Sequence, residues 1–150
     1  MRQAIHLAVQ NVRSGRGGPF GALVVKEGQL VGSGTNSVTT SNDPTAHAEV
    51  VAIRSACLAL GTFQLAGCEL YSSCEPCPMC LGAIYWARPE RFYFASGRDD
   101  ARSYGFDDAF IYDELNRSSE KRTISGQRLL RDEGVAAFEH WRLNQTKVPY

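Results

Sequence analysis

The chain reads as an α/β domain in which helices are layered on a sheet. Three observations predict this. Apolar residues recur at helical spacing over residues 2–13 and within 44–60, 78–87 and 133–144. Short β-rich runs fall between these segments, at 22–25, 69–72 and 91–95. Glycine, proline or polar stretches separate the two kinds of segment, and such alternation of strands with helices is the pattern of a layered α/β fold.

Taken in order, Ala4, Ile5, Ala8, Val9 and Val12 mark one face of a first helix, broken by the glycine-rich stretch 15–18. Residues 22–25 form a strand, Glu27-Gly28 a tight turn, and a returning strand begins at 29–31, which together make a β-hairpin. A polar loop covers 35–44. Asp43-Pro44 then supplies an N-cap and a proline at the first helical position, so a helix is expected from there to about residue 60, with Gly61 as its stop. Residues 69–72 form a strand and Pro78 starts a helix that runs to about Ala87. Residues 91–95, with Phe92 and Phe94, form the next strand. The stretch 97–124 is mixed, with a short helix near 108–115. A last helix, 133–144, carries Val135, Ala136, Phe138 and Trp141.

A length of 150 residues fits one domain with a core that needs no disulfides. Sixteen basic residues balance sixteen acidic ones, which argues against a domain built mainly to grip nucleic acid. No secretory signal and no apolar stretch of membrane-spanning length is visible, and five cysteines, an odd number, fit reduced thiols better than a disulfide framework. The expected location is cytoplasmic.

Two short runs fit together as one metal site, His47-Ala48-Glu49 and Pro76-Cys77-Pro78-Met79-Cys80. One imidazole and two thiolates make three ligands for zinc, and three protein ligands leave a fourth position for water, as catalytic rather than structural sites do. His47 and Glu49 are two apart, so they converge only at a helix end. Helix starts at Asp43-Pro44 and Pro78 would place both runs there, where the helix dipole favours thiolate and carboxylate. Zinc lowers the pKa of a bound water to about 7, and Glu49 is placed to move that water's protons to a departing amine. The pattern His-x-Glu…Pro-Cys-x-x-Cys is the signature of zinc-dependent deaminases. Cys74 forms an overlapping Cys-x-x-Cys with Cys77 and as a fourth ligand would close the site; its position at a strand end rather than on the helix turn argues against that. Cys57 and Cys68 read as small buried residues.

Similarity extends beyond the metal motif. Asn-Asp-Pro-Thr-Ala-His-Ala-Glu at 42–49 and Tyr-Ser-Ser-Cys-Glu-Pro-Cys-Pro-Met-Cys-Leu-Gly-Ala-Ile-Tyr-Trp-Ala-Arg-Pro at 71–89 resemble the bacterial guanine deaminases of the cytidine-deaminase superfamily. So do Gly-Gly-Pro-Phe-Gly-Ala at 17–22, Asn-Ser-Val-Thr-Thr-Ser at 36–41, Gly-Phe-Asp-Asp at 105–108 and the final Tyr150. The resemblance covers nearly the whole chain and is weakest over 124–143. It implies a three-layer α/β/α domain with a mixed central sheet, one zinc ion per subunit, and hydrolytic deamination of guanine to xanthine and ammonia. A homodimer with exchanged C-terminal segments is also implied. By the same resemblance His47, Cys77 and Cys80 hold the metal, Glu49 shuttles protons and Asp108 assists at the leaving amine. Phe20 packs on the purine, Asn36 hydrogen-bonds it, Ala48 (through its backbone) and Trp86 shape the pocket, and Tyr150 closes it from the partner subunit. The other readings are a guanosine or other aminopurine deaminase, a tRNA-adenosine deaminase, which would call for a basic stripe, and a structural zinc module, which would need a fourth ligand.

Overall fold

Helix α1 (Arg2–Arg13) occupies the span its apolar spacing predicts. The computed structural model describes all residues, Met1–Tyr150. The buried stripe of α1 is Ala4, Ala8 and Asn11, while Ile5, Val9 and Val12 are exposed. The stripe is narrower than predicted because the helix lies very close to the sheet. At Gly21 an added Cβ would stand 2.5 Å from the Ala4 carbonyl oxygen and 2.8 Å from the Ala8 nitrogen.

Strands β1 (Gly21–Lys26) and β2 (Gln29–Thr35) form the expected hairpin. Glu27 and Gly28 both have positive φ, 50° and 78°, as the tight turn matched to strand twist requires. β3 (Cys68–Cys74) pairs antiparallel with β1, and β4 (Arg91–Ser96) pairs parallel with β3, giving a mixed sheet in the order β2-β1-β3-β4. A short helix α2 (Val38–Ser41) interrupts the polar loop after β2.

Helix α3 (Ala48–Leu60) lies on the face of the sheet opposite α1. Gly32 and Gly34 permit it: a Cβ at Gly34 would come 2.3 Å from the Ala48 carbonyl oxygen, and at Gly32 2.7 Å from that of Ala52. Helix α4 (Pro78–Ala87) follows β3, starting at Pro78 as predicted. Ala22, Val24, Ala52, Ile53, Leu70 and Ile84 belong to the core on this face, so helices cover both sides of the sheet. Cys68 is fully buried in that core, and half-buried Cys57 packs against it.

The start of α3 differs from expectation. Asp43 and Pro44 do not open the helix; they form a turn in which Ala46 N–H donates to the Asp43 carbonyl at 3.1 Å, while the Asp43 carboxylate accepts from the Thr45 N–H and hydroxyl. Proline at the second position and aspartate at the first are also the preferences of a β-turn. His47 is the true N-cap. A second difference is helix α5 (Arg98–Ser103), which the mixed stretch concealed.

The chain divides into two compact units, Met1–Ala109 and Phe110–Tyr150. Helix α6 (Ala109–Leu115) leads into the second unit, a 3₁₀ turn follows at Ser119–Lys121, and α7 (Arg131–Leu143) starts two residues before its predicted position. Within this unit Glu114 accepts from Arg117 Nη1 at 2.7 Å and from the Thr123 N–H at 2.6 Å. The Lys147 ammonium donates to the carbonyls of Arg142 and Asn144, and the Trp141 and Tyr150 rings meet edge to face at 6.4 Å.

Candidate active site

Strand direction gathers the site at one end of the sheet. Gly21 pairs with Thr35, Ala22 with Ser72, and Cys74 with Ser96. The start of β1 and the ends of β2, β3 and β4 therefore coincide. Phe20, Asn36, Glu75 and Gly97 are the residues just outside those strand ends.

Two helix starts meet there. His47 and Cys77 are the N-caps of α3 and α4, both in extended backbone conformation. Cys80 lies in the first turn of α4. His47 Nδ1 stands 3.5 Å from Cys77 Sγ and 3.5 Å from Cys80 Sγ. All three ligand atoms lie within 4.8 Å of one another. Zinc–sulfur and zinc–nitrogen bonds in a tetrahedron place ligand atoms about 3.6 Å apart, so this donor set fits a zinc ion in both chemistry and spacing. Cys74 stands outside the cluster, its thiol 3.8 Å from the Gly97 carbonyl.

The electrostatics suit a cation. A hydrogen bond from the Cys80 thiol, and then the His47 ring, pull the Cys77 thiol down to about 4. The same bond and burial push Cys80 up, and the bond to Cys77 raises His47. Both thiols must give up their protons for a metal to bind between them.

Glu49, in the first turn of α3, is 5% exposed. Burial raises its pKa. Its Oε1 accepts from the Ser72 hydroxyl at 2.9 Å, and its Oε2 lies 3.4 Å from Cys80 Sγ. A buried carboxyl beside the ligand cluster is placed to take up and release protons.

A cavity of about 480 Å³ opens onto this cluster, lined by His47, Glu49, Cys77, Phe20, Asn36 and Asp108 among others. Its size is within the range of small-molecule sites. Phe20 meets Phe106 edge to face at 5.0 Å. Asn36 Oδ1 accepts from the Gly18 N–H at 3.3 Å and the Val38 N–H at 3.4 Å, which leaves the amide's donor end for a ligand. Burial, then the Cys77 charge, raise the pKa of Asp108.

Of the other residues picked out by the sequence, Ala48 is buried between His47 and Glu49, with its methyl group in the core. Trp86 is not part of the cavity wall. It lies about 12 Å along α4 from Pro78 and is 65% exposed. Tyr150 belongs to the second unit and is 71% exposed. The sequence reading gave no role to Ser72, Glu75, Arg98 or Phe106. Ser72 shares the inward face of β3 with Leu70, an alternation readable from the strand. Glu75 accepts the Arg98 N–H at 3.2 Å and pairs with its guanidinium at 3.3 Å, a contact across the fold with no local signal.

Residues 1–96 match the family model of the cytidine and deoxycytidylate deaminase zinc-binding region. The chain is 53% identical over 150 residues to the guanine deaminase of Bacillus subtilis (strain 168), covering 100% of this chain and 96% of that protein. The X-ray structure of guanine deaminase from Bacillus subtilis matches with a TM-score of 0.97 over 99% of this chain and 95% of that one. A guanine deaminase structure from Nitrosomonas europaea matches at 32% identity and a TM-score of 0.67, covering 92% and 80%. The tRNA-specific adenosine deaminase of Aquifex aeolicus is 49% identical over 78 residues, 52% of each chain. The likeness to tRNA-specific adenosine deaminases covers 52% of the chain for this protein and 71%, at 37% identity, for that of Buchnera aphidicola, whereas the likeness to guanine deaminase runs its whole length.

Proposed function

The chain belongs to the cytidine and deoxycytidylate deaminase zinc-binding family, and from that membership we propose that it hydrolyses guanine to xanthine and ammonia. The observation that carries the substrate is the 53% identity to a guanine deaminase across 100% of this chain. The buried Glu49 beside three metal-ligand side chains supports the reaction type.

His47 Nδ1, Cys77 Sγ and Cys80 Sγ hold zinc in this reading. When bound, the ion supplies Lewis acidity that makes water a nucleophile near neutral pH. The chain's own groups do the rest. Phe20 lies against the flat base and Asn36 donates from its amide to an acceptor on the ring edge. The Ala48 backbone borders the base at the first turn of α3. Glu49 takes a proton from the attacking water as its oxygen bonds to C2 of guanine. It then returns that proton toward the amine, with Asp108 assisting. The C2–N bond breaks, ammonia leaves with that proton, and the remaining hydroxyl proton passes to N3, which leaves the oxygen as the new carbonyl of xanthine.

The enzyme is proposed to work as a homodimer in the cytoplasm, with the second unit exchanged between subunits and Tyr150 closing the partner's cavity. In support, no residue from 110 to 150 is buried, and Leu129, Leu130 and Phe138 are more than 70% exposed. So small a segment buries too little to stand alone. All five cysteines are free, as a reducing compartment requires. No helix is long and apolar enough to cross a membrane.

An ammonia-release assay across guanine, guanosine, cytosine, cytidine and adenine tests the substrate. Guanine is expected to be turned over fastest, and preference for any other member of the series overturns the reading.

A further inference from the structure

Asn11, near the end of α1, is 1% exposed. A polar side chain so deeply buried is costly unless it is bonded. Its Nδ2 uses both protons, donating to the Gly18 carbonyl at 2.9 Å and to the Asn36 carbonyl at 2.7 Å. Its Oδ1 is buried without a partner. The two donors are therefore what the position gains from an amide.

Both bonded carbonyls belong to residues of the cavity wall. The same two segments are tied to each other: the Phe20 N–H donates to the Gly18 carbonyl at 2.8 Å, and the Asn36 N–H to the Phe20 carbonyl at 3.1 Å. Gly17 closes the arrangement from the other side. A Cβ there would stand 2.1 Å from the Asn36 carbonyl oxygen and 3.0 Å from Asn11 Nδ2.

We propose that Asn11 is a positioning residue for base recognition: its two amide protons clamp the carbonyls of Gly18 and Asn36, and so set where the Phe20 ring and the Asn36 amide meet the base. This rests on the purine-binding roles given above to Phe20 and Asn36. The clamp sits on α1, apart from the metal cluster on α3 and α4, so its loss acts on binding more than on chemistry.

The test combines steady-state kinetics on guanine with amide hydrogen exchange, for Asn11→Ala and for Asn11→Ser, which keeps one donor. Asn11→Ala is expected to raise KM about tenfold with kcat changed by less than about threefold, and Asn11→Ser to fall between it and the parent. In an Asn36→Ala background the Asn11→Ala change should raise KM by a smaller factor than in the parent, because one of the two groups it acts through is gone. The Phe20 and Asn36 amides should exchange faster than those of β3. Equal KM factors in both backgrounds, a fall in kcat at constant KM, or unchanged exchange at Phe20 and Asn36 overturns the proposal. A parent chain inert toward guanine overturns the functional reading instead, and hydrogen exchange still decides whether the clamp exists.

Discussion

Residues 1–109 hold every buried side chain of the molecule, whereas residues 110–150 hold none. The first unit is fixed by contacts between distant parts of the sequence. Backbone meets backbone at Gly21, Gly32 and Gly34, and Asn11 reaches residues 18 and 36. The second unit is held by bonds between near neighbours, such as Glu114 with Arg117 and Glu139 with Arg142. Exposed pairs of that kind contribute little. Stiffness is therefore concentrated where protons must be moved over short, fixed distances. The apolar residues of α7 are left exposed within their own unit.

Three substitutions and one deletion break or sharpen this contrast. The largest effect is expected from Glu49→Ala, which removes the buried carboxyl of the first unit. Turnover should fall about 10³-fold while metal analysis still finds one zinc per chain. Activity equal to the parent would end the proton role. Next is Gly34→Ala, whose new Cβ would lie 2.3 Å from the Ala48 carbonyl oxygen. It should cost about 3 kcal/mol of stability, read as a lower thermal midpoint; an unmoved midpoint would mean that α3 can shift off the sheet. Deleting Tyr150 should slow turnover about tenfold and leave the midpoint in place, since this residue is exposed. Unchanged turnover would remove the lid. The smallest effect belongs to Gly134→Ala in α7, where nothing lies within 4 Å of the added Cβ. There the better helix former should raise stability by about 0.5–1 kcal/mol. A loss instead would show that this helix face is packed against another subunit.

What the sequence disclosed follows the same division between local and distant causes. α1 and α4 were legible because apolar spacing, glycine stops and Pro78 act within a few residues. The metal ligands were legible for the same reason, since two short runs at helix starts carry them all. The start of α3 was misplaced because Asp43-Pro44 serves a turn as well as it serves a helix, and His47, the real N-cap, is not among the usual capping residues. α5 was hidden because no apolar periodicity marks it; the Asp100 carboxylate on the Gly97 N–H and Glu75 on the Arg98 N–H hold its start instead. Trp86 was placed at the pocket by resemblance alone, and it does not line the cavity formed within one chain. Asn11 gave no signal, because its partners are 7 and 25 residues away.

The hairpin of β1 and β2 has a consequence for how the reactive centre is assembled. Its two-residue turn and the bulge opposite Val24 and Val25 set the alignment of everything downstream on β2. A slip of one residue would bring Ser33 to the place of Gly34, and a hydroxymethyl group would strike the Ala48 carbonyl. The slipped hairpin could not seat α3, and the first turn of α3 carries Glu49, just after its N-cap His47. A misaligned hairpin would thereby lack a working centre as well as stability, because the glycines of β2 are what let α3 seat.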